Sequence, residues 1–466
     1  MPFSPLMVLS AWFRGLVAVG IIVAGIWLWR GWYDRSQVRT RETVRMEDGP
    51  TYTRDTTRLD FHPGFNVATL LLAGAVVTTA WSLGAGLLVS RWTLGRRRGS
   101  PKADARADQH RHVEVRLLHR EDMGDIYVEI DVPPTAPARD AARPTLVLVH
   151  AWGADRTQWH DVRRHLRGAW RIVTWDLPGL GNSSRPKDRD FSVARMAKDL
   201  RRVIEGTTAS GDRVVLVGHG SGTLVALEFV RLFPELVAAR VAGIVLAHGT
   251  YTNPLRTIAH AELYTAIQKP LIEPLMYLTI PLSAAVWAMQ WLAYLNGSTH
   301  WATHRAGFSG NQGRRRLDFA TRFALRASPA VLARGTLGLL RSDGTATLDA
   351  LAMPALLIAG SADPITPSPA SEFMRERIPG AEMFVLPDAR HLGPMEFDRE
   401  FALRLAEFTL RRCTATGALV TPPPADRAAS CPPAAVPTGG VEDRIDEQKA
   451  APDRADDAAR RPAPAR

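Results

Sequence analysis

His391, Asp363 and the run Gly218-His219-Gly220-Ser221-Gly222 are the residues of this chain best suited to chemistry. A histidine titrates near neutral pH and can carry a proton to or from a reacting group. A carboxylate can fix which ring nitrogen of that histidine holds the proton, and a serine hydroxyl can attack a carbonyl carbon. With two backbone N–H donors for the developing oxyanion, these are the parts of acyl transfer. Plainer readings stand beside this one: His391 as a surface-loop histidine, and Asp363 as the start of an Asx turn before Pro364.

Residues so far apart need a scaffold to gather them. Short apolar runs at 145–149 (TLVLV), 172–174 (IVT), 214–217 (VVLV), 244–246 (IVL) and 355–358 (ALLI) suit strands buried on both faces of a parallel sheet. Residues 113–118 and 126–132 alternate like half-buried strands joined through Met123-Gly124. Helical patterns fall near 157–167, 195–206, 222–233, 369–378 and 399–411. Strand–helix alternation of this kind predicts an α/β fold with a doubly wound, mostly parallel sheet. Ligands then gather beyond the carboxyl ends of the strands. His150, Asp176, Gly218, Asp363 and His391 all lie just past those ends.

Over residues 112–412 the sequence resembles the α/β-hydrolase family. The motifs are His150-Ala151-Trp152-Gly153, Asp176-Leu177-Pro178-Gly179-Leu180-Gly181-Asn182-Ser183, Val217 to Gly222, Gly360-Ser361-Ala362-Asp363-Pro364-Ile365-Thr366-Pro367, and Arg390-His391-Leu392-Gly393-Pro394. In order, they match the family's oxyanion loop, the loop after the next strand, the nucleophile elbow, the acid loop and the histidine loop. The resemblance implies that His391 is the base, that Asp363 orients it, and that the N–H groups of Trp152 and Ser221 are the oxyanion donors. Gly153, Gly179 and Gly181 fit turn geometry better than chemistry.

One position departs from the family. The elbow reads Gly-x-Ser-x-Gly with the nucleophile in the middle. Here the outer glycines are Gly218 and Gly222 and the middle residue is Gly220, which has no side chain. Ser221 stands one place late, and one step along a helix turns a side chain by about 100°. Three readings stay open. Ser221 serves as nucleophile through a rearranged elbow; His391 and Asp363 activate water or substrate directly; or the fold is catalytically dead and acts as a ligand-binding or scaffold protein.

Ahead of this region lie two apolar segments, 6–29 and 64–90. They would reach about 36 and 40 Å as helices, enough to cross a hydrocarbon core of about 30 Å. Arg14 interrupts the first and can snorkel from one end. A cleaved leader fits poorly, because WRGWYDRS follows the apolar core where small residues belong. Residues 1–90 therefore predict a two-span transmembrane hairpin, with 30–63 as the connecting loop. Residues 91–111 read as a basic linker (Arg91, Arg96, Arg97, Arg98, Lys102, Arg106), which places the hydrolase region on the cytoplasmic side of the cell membrane. A helical lid is expected over about 250–345. Its stretch from Pro274 to His300 has no ionised side chain and sets Trp287, Trp291 and Tyr294 on one face. The bland reading packs that stretch on the sheet; the sharper one dips it into the bilayer, with Pro281 breaking a full span. Residues 413–466, rich in Pro, Ala, Asp and Arg, predict a disordered tail.

The net charge of +11 invites a nucleic-acid partner, but arginine dominates throughout and lysine occurs only at 102, 187, 198, 269 and 449. That pattern reads as coding bias rather than a nucleic-acid stripe, and no nucleic-acid partner is expected. With only Cys413 and Cys431, no disulfide framework or cysteine metal site forms inside the fold. No cofactor is implied. The expected partners are a lipid bilayer and an apolar ester or lipid-like small molecule, and the expected reaction is hydrolysis of an ester or thioester.

Overall fold

The computed structural model describes residues 5–44, 49, 51–60, 64, 66–94, 113–120, 124–133 and 143–414. Most of the linker, Met123, and the tail from 415 onward, including Cys431, lie outside the described residues.

The expected apolar runs become strands β3 (Val113–His119), β4 (Asp125–Asp131), β5 (Thr145–Val149), β6 (Ile172–Trp175), β7 (Val214–His219), β8 (Val241–Ala247) and β9 (Ala355–Gly360). An eighth, β10 (Glu382–Leu386), was missed, although Met383-Phe384-Val385-Leu386 is an apolar run as long as those of β7 and β9. The sheet order is β10-β9-β8-β7-β5-β6-β4-β3. Only β3–β4 and β4–β6 pair antiparallel; the other pairs are parallel. Alternation along the central strands divides the core in two. Val147, Val149, Leu216, Ile244 and Leu246 face one apolar cluster; Leu146, Leu148, Val215, Val217 and Val245 face the other. The strands look uniformly apolar in sequence because both faces are covered.

Two helices precede the sheet: α1 (Met7–Arg35) and α2 (Val67–Leu94). Both are long and apolar enough to cross a membrane, and both run beyond the expected spans. The segment between them is not a loop. Gln37–Val44 (β1) and Tyr52–Leu59 (β2) pair antiparallel from Gln37↔Leu59 to Val44↔Tyr52. This ribbon is almost wholly exposed and mixes charges, so no hydrophobic alternation announced it.

The buried face of α1 is Met7, Ala11, Arg14, Gly15, Ala18 and Gly25, a helical stripe of mostly small residues. Its N-terminal part lies on the helix Ser283–Leu295, while Gly25 faces Thr78 of α2. A Cβ on Gly15 would come within 2.6 Å of Met289 Cβ, so glycine there sets the approach of the two helices. Farther along, Trp29 Nε1 donates to Thr79 Oγ1 of α2 at 2.9 Å.

Between β8 and β9 the chain forms a helical insertion. Helical segments Gln268–Thr279 and Ser283–Leu295 meet at a bend of 98°, across Ile280-Pro281-Leu282. Of the three aromatics expected on one face, only Tyr294 is buried, its hydroxyl donating to Asp318 at 2.9 Å; Trp287 and Trp291 are exposed.

Candidate active site

Every expected site residue sits on a loop at the carboxyl edge of the sheet. Asp363 follows β9, His391 follows β10, and the Gly218–Gly222 run joins β7 to the helix Gly222–Leu232. His391 Nδ1 lies 3.0 Å from Asp363 Oδ2, and both side chains are buried. The carboxylate is fully engaged. Oδ1 accepts from the N–H groups of Ile365 and Thr366 at 2.8 and 3.0 Å. Oδ2 also accepts from the Thr366 hydroxyl at 2.7 Å and faces His248 Nδ1 at 3.0 Å. With a carboxylate on Nδ1, that nitrogen carries the proton and His391 Nε2 is left as a basic lone pair. Among the described residues, Nε2 has no hydrogen-bond partner.

That lone pair faces the elbow. A Cβ built on Gly220 would lie 3.2 Å from His391 Nε2 and 3.1 Å from Ala151 Cβ. Gly220 has φ +56°, the left-handed conformation that a strand-to-helix elbow imposes on its middle residue. The outer glycines are needed for a different reason. A Cβ on Gly218 would approach Gly222 O to 2.6 Å, and one on Gly222 would approach Val149 O to 2.6 Å. The backbone thus forms an elbow whose projecting side chain is absent.

Ser221 does not take that place. Its Oγ accepts from the Trp152 N–H at 2.5 Å and makes no hydrogen bond to His391. Trp152 is clamped from behind: its indole Nε1 donates to Leu332 O at 3.2 Å, and a Cβ on Gly335 would collide with the ring at 1.9 Å. His150 and Asp176 are buried scaffolding. His150 Nε2 accepts from Leu177 N at 3.0 Å, and Asp176 accepts from the Arg156 N–H and guanidinium at 2.7 and 2.6 Å.

A free imidazole nitrogen over an elbow at the edge of a sheet in this order is an α/β-hydrolase arrangement, and the sequence model of the alpha/beta hydrolase family matches residues 146–405. The chain belongs to the alpha/beta hydrolase family. A pimeloyl-[acyl-carrier protein] methyl ester esterase of Neisseria meningitidis is 25% identical over 266 residues, 56% of this chain and 91% of that protein. A Mycobacterium tuberculosis protein is 35% identical over 94 residues, 20% of this chain, and the match spans only 27% of that relative. A solved esterase from Thermogutta terrifontis superposes with a TM-score of 0.50 at 23% identity, over 65% of this chain and 100% of its own. It shows the fold alone.

Sequence reasoning missed His248, which shares Asp363 with His391. Its only sequence cue is position: it follows the last residue of β8, Ala247. Sequence reasoning also missed His219 as a support. His219 Nε2 donates to the backbone O of His391 at 2.8 Å, and Gln158 Nε2 donates to His219 Nδ1 at 2.9 Å. Burial raises the Asp363 carboxyl, but the electrostatic attraction of His391 and the bonds from His248 and His391 outweigh it and hold the group well below the usual carboxylate range. Burial holds His219 and His248 below the ordinary histidine value, and for His219 the facing His391 and His248 add to the shift.

These directions set a pH dependence. Unfolded histidines bind protons below about pH 6.5, while these two resist protonation in the fold. Below that point the unfolded state takes up more protons, so stability falls as pH falls, by up to about 1.4 kcal/mol per pH unit for each such histidine. The unfolding midpoint of the full chain in detergent is expected to drop between pH 7.5 and 5.5, and to drop less steeply in His219→Asn. Equal slopes in the two proteins would contradict the assignment of His219.

Proposed function

We propose that this protein hydrolyses a carboxylic ester, or thioester, of an apolar acyl chain, using water activated by His391 rather than a covalent serine intermediate. The observation that carries the reading is the unpartnered Nε2 of His391 facing the space where the side chain of residue 220 would project. In this reading a water stands in that space. His391 Nε2 takes its proton as the water oxygen bonds to the carbonyl carbon, and Asp363 stabilises the resulting imidazolium. The oxyanion is met by the Trp152 and Ser221 N–H groups, once the Ser221 hydroxyl yields the Trp152 amide. Collapse breaks the bond to the leaving group, which takes the proton back from His391. The esterase among the relatives supports the ester class.

The substrate is proposed to arrive from a membrane. Two helices long enough to span support this, as do the exposed Leu271, Leu278, Leu282, Trp287 and Trp291 on the bent insertion beside them. In this reading the insertion is a lid at a bilayer surface and the catalytic region lies on the cytoplasmic side. A non-catalytic binding role has its own support, since Gly220 offers no nucleophile and Ser221 fills the Trp152 amide.

The full chain in nanodiscs, offered a panel of short to medium acyl esters and a fluorophosphonate probe, separates these readings. Turnover without probe labelling is expected. Labelling lost in Ser221→Ala would transfer the role to Ser221, and no turnover of any ester would leave the binding role.

A further inference from the structure

The C-terminal end of α2 is fastened to the helical insertion. Gly84 leaves helical geometry at φ +131°, and two residues later the chain touches the insertion. A Cβ on Gly86 would come within 2.3 Å of Asn296 O, and one on Gly297 within 2.3 Å of Gly86 O, so the two backbones meet with no side chain between them. A helix leaves its last carbonyls without intrahelical donors. Leu94 O finds a donor 218 residues away: the buried Gln312 amide donates to it at 2.9 Å and to His304 Nδ1 at 2.7 Å. Arg314 sets its guanidinium 4.4 Å from the centre of the Trp92 ring, and Arg91 faces Asp318 at 3.9 Å.

The same stretch of the insertion grips the loop that carries His391. Gly307 O accepts from the Leu392 N–H at 3.0 Å, and a Cβ on Gly307 would come within 2.7 Å of the Leu392 side chain. Arg390 donates to Arg305 O. Buried Glu396 accepts from the Ser309 N–H, the Ser309 hydroxyl and the Asn311 N–H at 2.7, 2.9 and 2.9 Å. Bonds to a charged acceptor are the strong ones, and leaving a buried donor unpaired is costly. One apolar cluster fills the space between these contacts. Phe308, Leu317 and Phe323 come from the insertion, Leu392 and Met395 from beside His391, and Ala154 from beside the oxyanion loop, with Leu94 of α2 packed against them. Interiors so closely packed transmit a displacement from one element to its neighbours.

We propose that Gln312 and Glu396 are positioning residues, and that through them the end of α2 sets where His391 stands. Segment 307–312 is the strut. Gln312 ties it to the end of a candidate span, and Glu396 ties it to the histidine loop. The second apolar helix is then part of the framework of the site as well as a candidate anchor. The consequence for catalysis rests on the reading of His391 as base; the mechanical link does not.

The test is hydrogen–deuterium exchange, read by mass spectrometry, on the full chain in nanodiscs. Gln312→Ala is expected to speed exchange of the 391–396 amides about tenfold, the size of one lost buried hydrogen bond, and to leave the acid-loop amides at 363–367 unchanged. Glu396→Gln keeps the size of the side chain but loses its charge, and is expected to loosen the same amides together with those of Ser309 and Asn311. Trp92 is largely exposed, so Trp92→Ala keeps the test open should a buried change unfold the protein; about two- to fivefold faster exchange at 391–396 is expected there. In ester turnover by the loosened variants, kcat is expected to fall with KM within about twofold, because the base moves while the acyl site does not. Faster exchange confined to α2 and the insertion, with 391–396 as slow as in the wild type, would overturn the proposal. So would equal loosening of 363–367, which is general destabilisation, or an unchanged kcat in a loosened variant. A wild type that cleaves no ester would sink the hydrolase reading and leave the exchange result to decide this one.

Discussion

Gly220→Ser is expected to convert the protein into one that fluorophosphonates label at position 220 and that forms an acyl-enzyme. The reason is geometric. The missing Cβ would stand 3.2 Å from the free Nε2 of His391, so a hydroxyl one bond farther out comes within its hydrogen-bonding reach. The His391–Asp363 pair and the elbow backbone are already in place. Removing the serine from a complete triad costs on the order of 10⁶ in turnover and leaves about 10³ to 10⁴ over water. Restoring it is expected to raise ester turnover by about 10² to 10⁴, short of the full factor because the Ser221 hydroxyl competes for the Trp152 amide. A side chain at φ +56° costs about 1–2 kcal/mol, and Ala151 must give slightly, so a modest fall in unfolding midpoint accompanies the gain. The check is probe labelling with peptide mapping, alongside ester kinetics. A well-folded Gly220→Ser that is neither labelled nor faster would mean that His391 does not serve the elbow.

His391→Ala is expected to lower wild-type ester turnover by about 10² to 10⁴, the usual contribution of a positioned general base. Asp363→Asn is expected to fall in the same range for a different reason. An amide NH₂ facing Nδ1 would push the imidazole proton onto Nε2, the nitrogen that must stay basic. That variant carries a second cost, because Asp363 also accepts from Thr366 and His248, and Thr366→Val measured beside it separates lost scaffolding from lost tautomer control. Steady-state kinetics at fixed pH on protein of verified fold provide the check. Full activity in His391→Ala would remove the base from the reading.

The sequence exposed the sheet because its central strands are apolar on both faces, and it pointed to the candidate site because the chemistry-bearing residues follow strand ends. What it hid has physical causes. The β1–β2 ribbon carries no continuous apolar signal, since it is almost wholly exposed; β10 does carry one, Met383 to Leu386, but is only half-buried as an edge strand. His248 was overlooked because a single histidine between Ala247 and Gly249 has no motif of its own; only folding brings it to Asp363. Ser221 was legible as displaced from the elbow, but its hydrogen bond to the Trp152 amide depends on loop geometry that spacing does not encode. Arg14 was read as an interruption in a membrane span, because burial against a distant insertion leaves no local trace.

The most direct measurement is the intact mass of wild-type protein quenched during steady consumption of an aryl ester, with product release recorded in the same samples. The expected result is product formed by a protein whose mass does not change, as befits direct attack by water. An acyl adduct on Ser221, or product forming no faster than with His391→Ala, would contradict it.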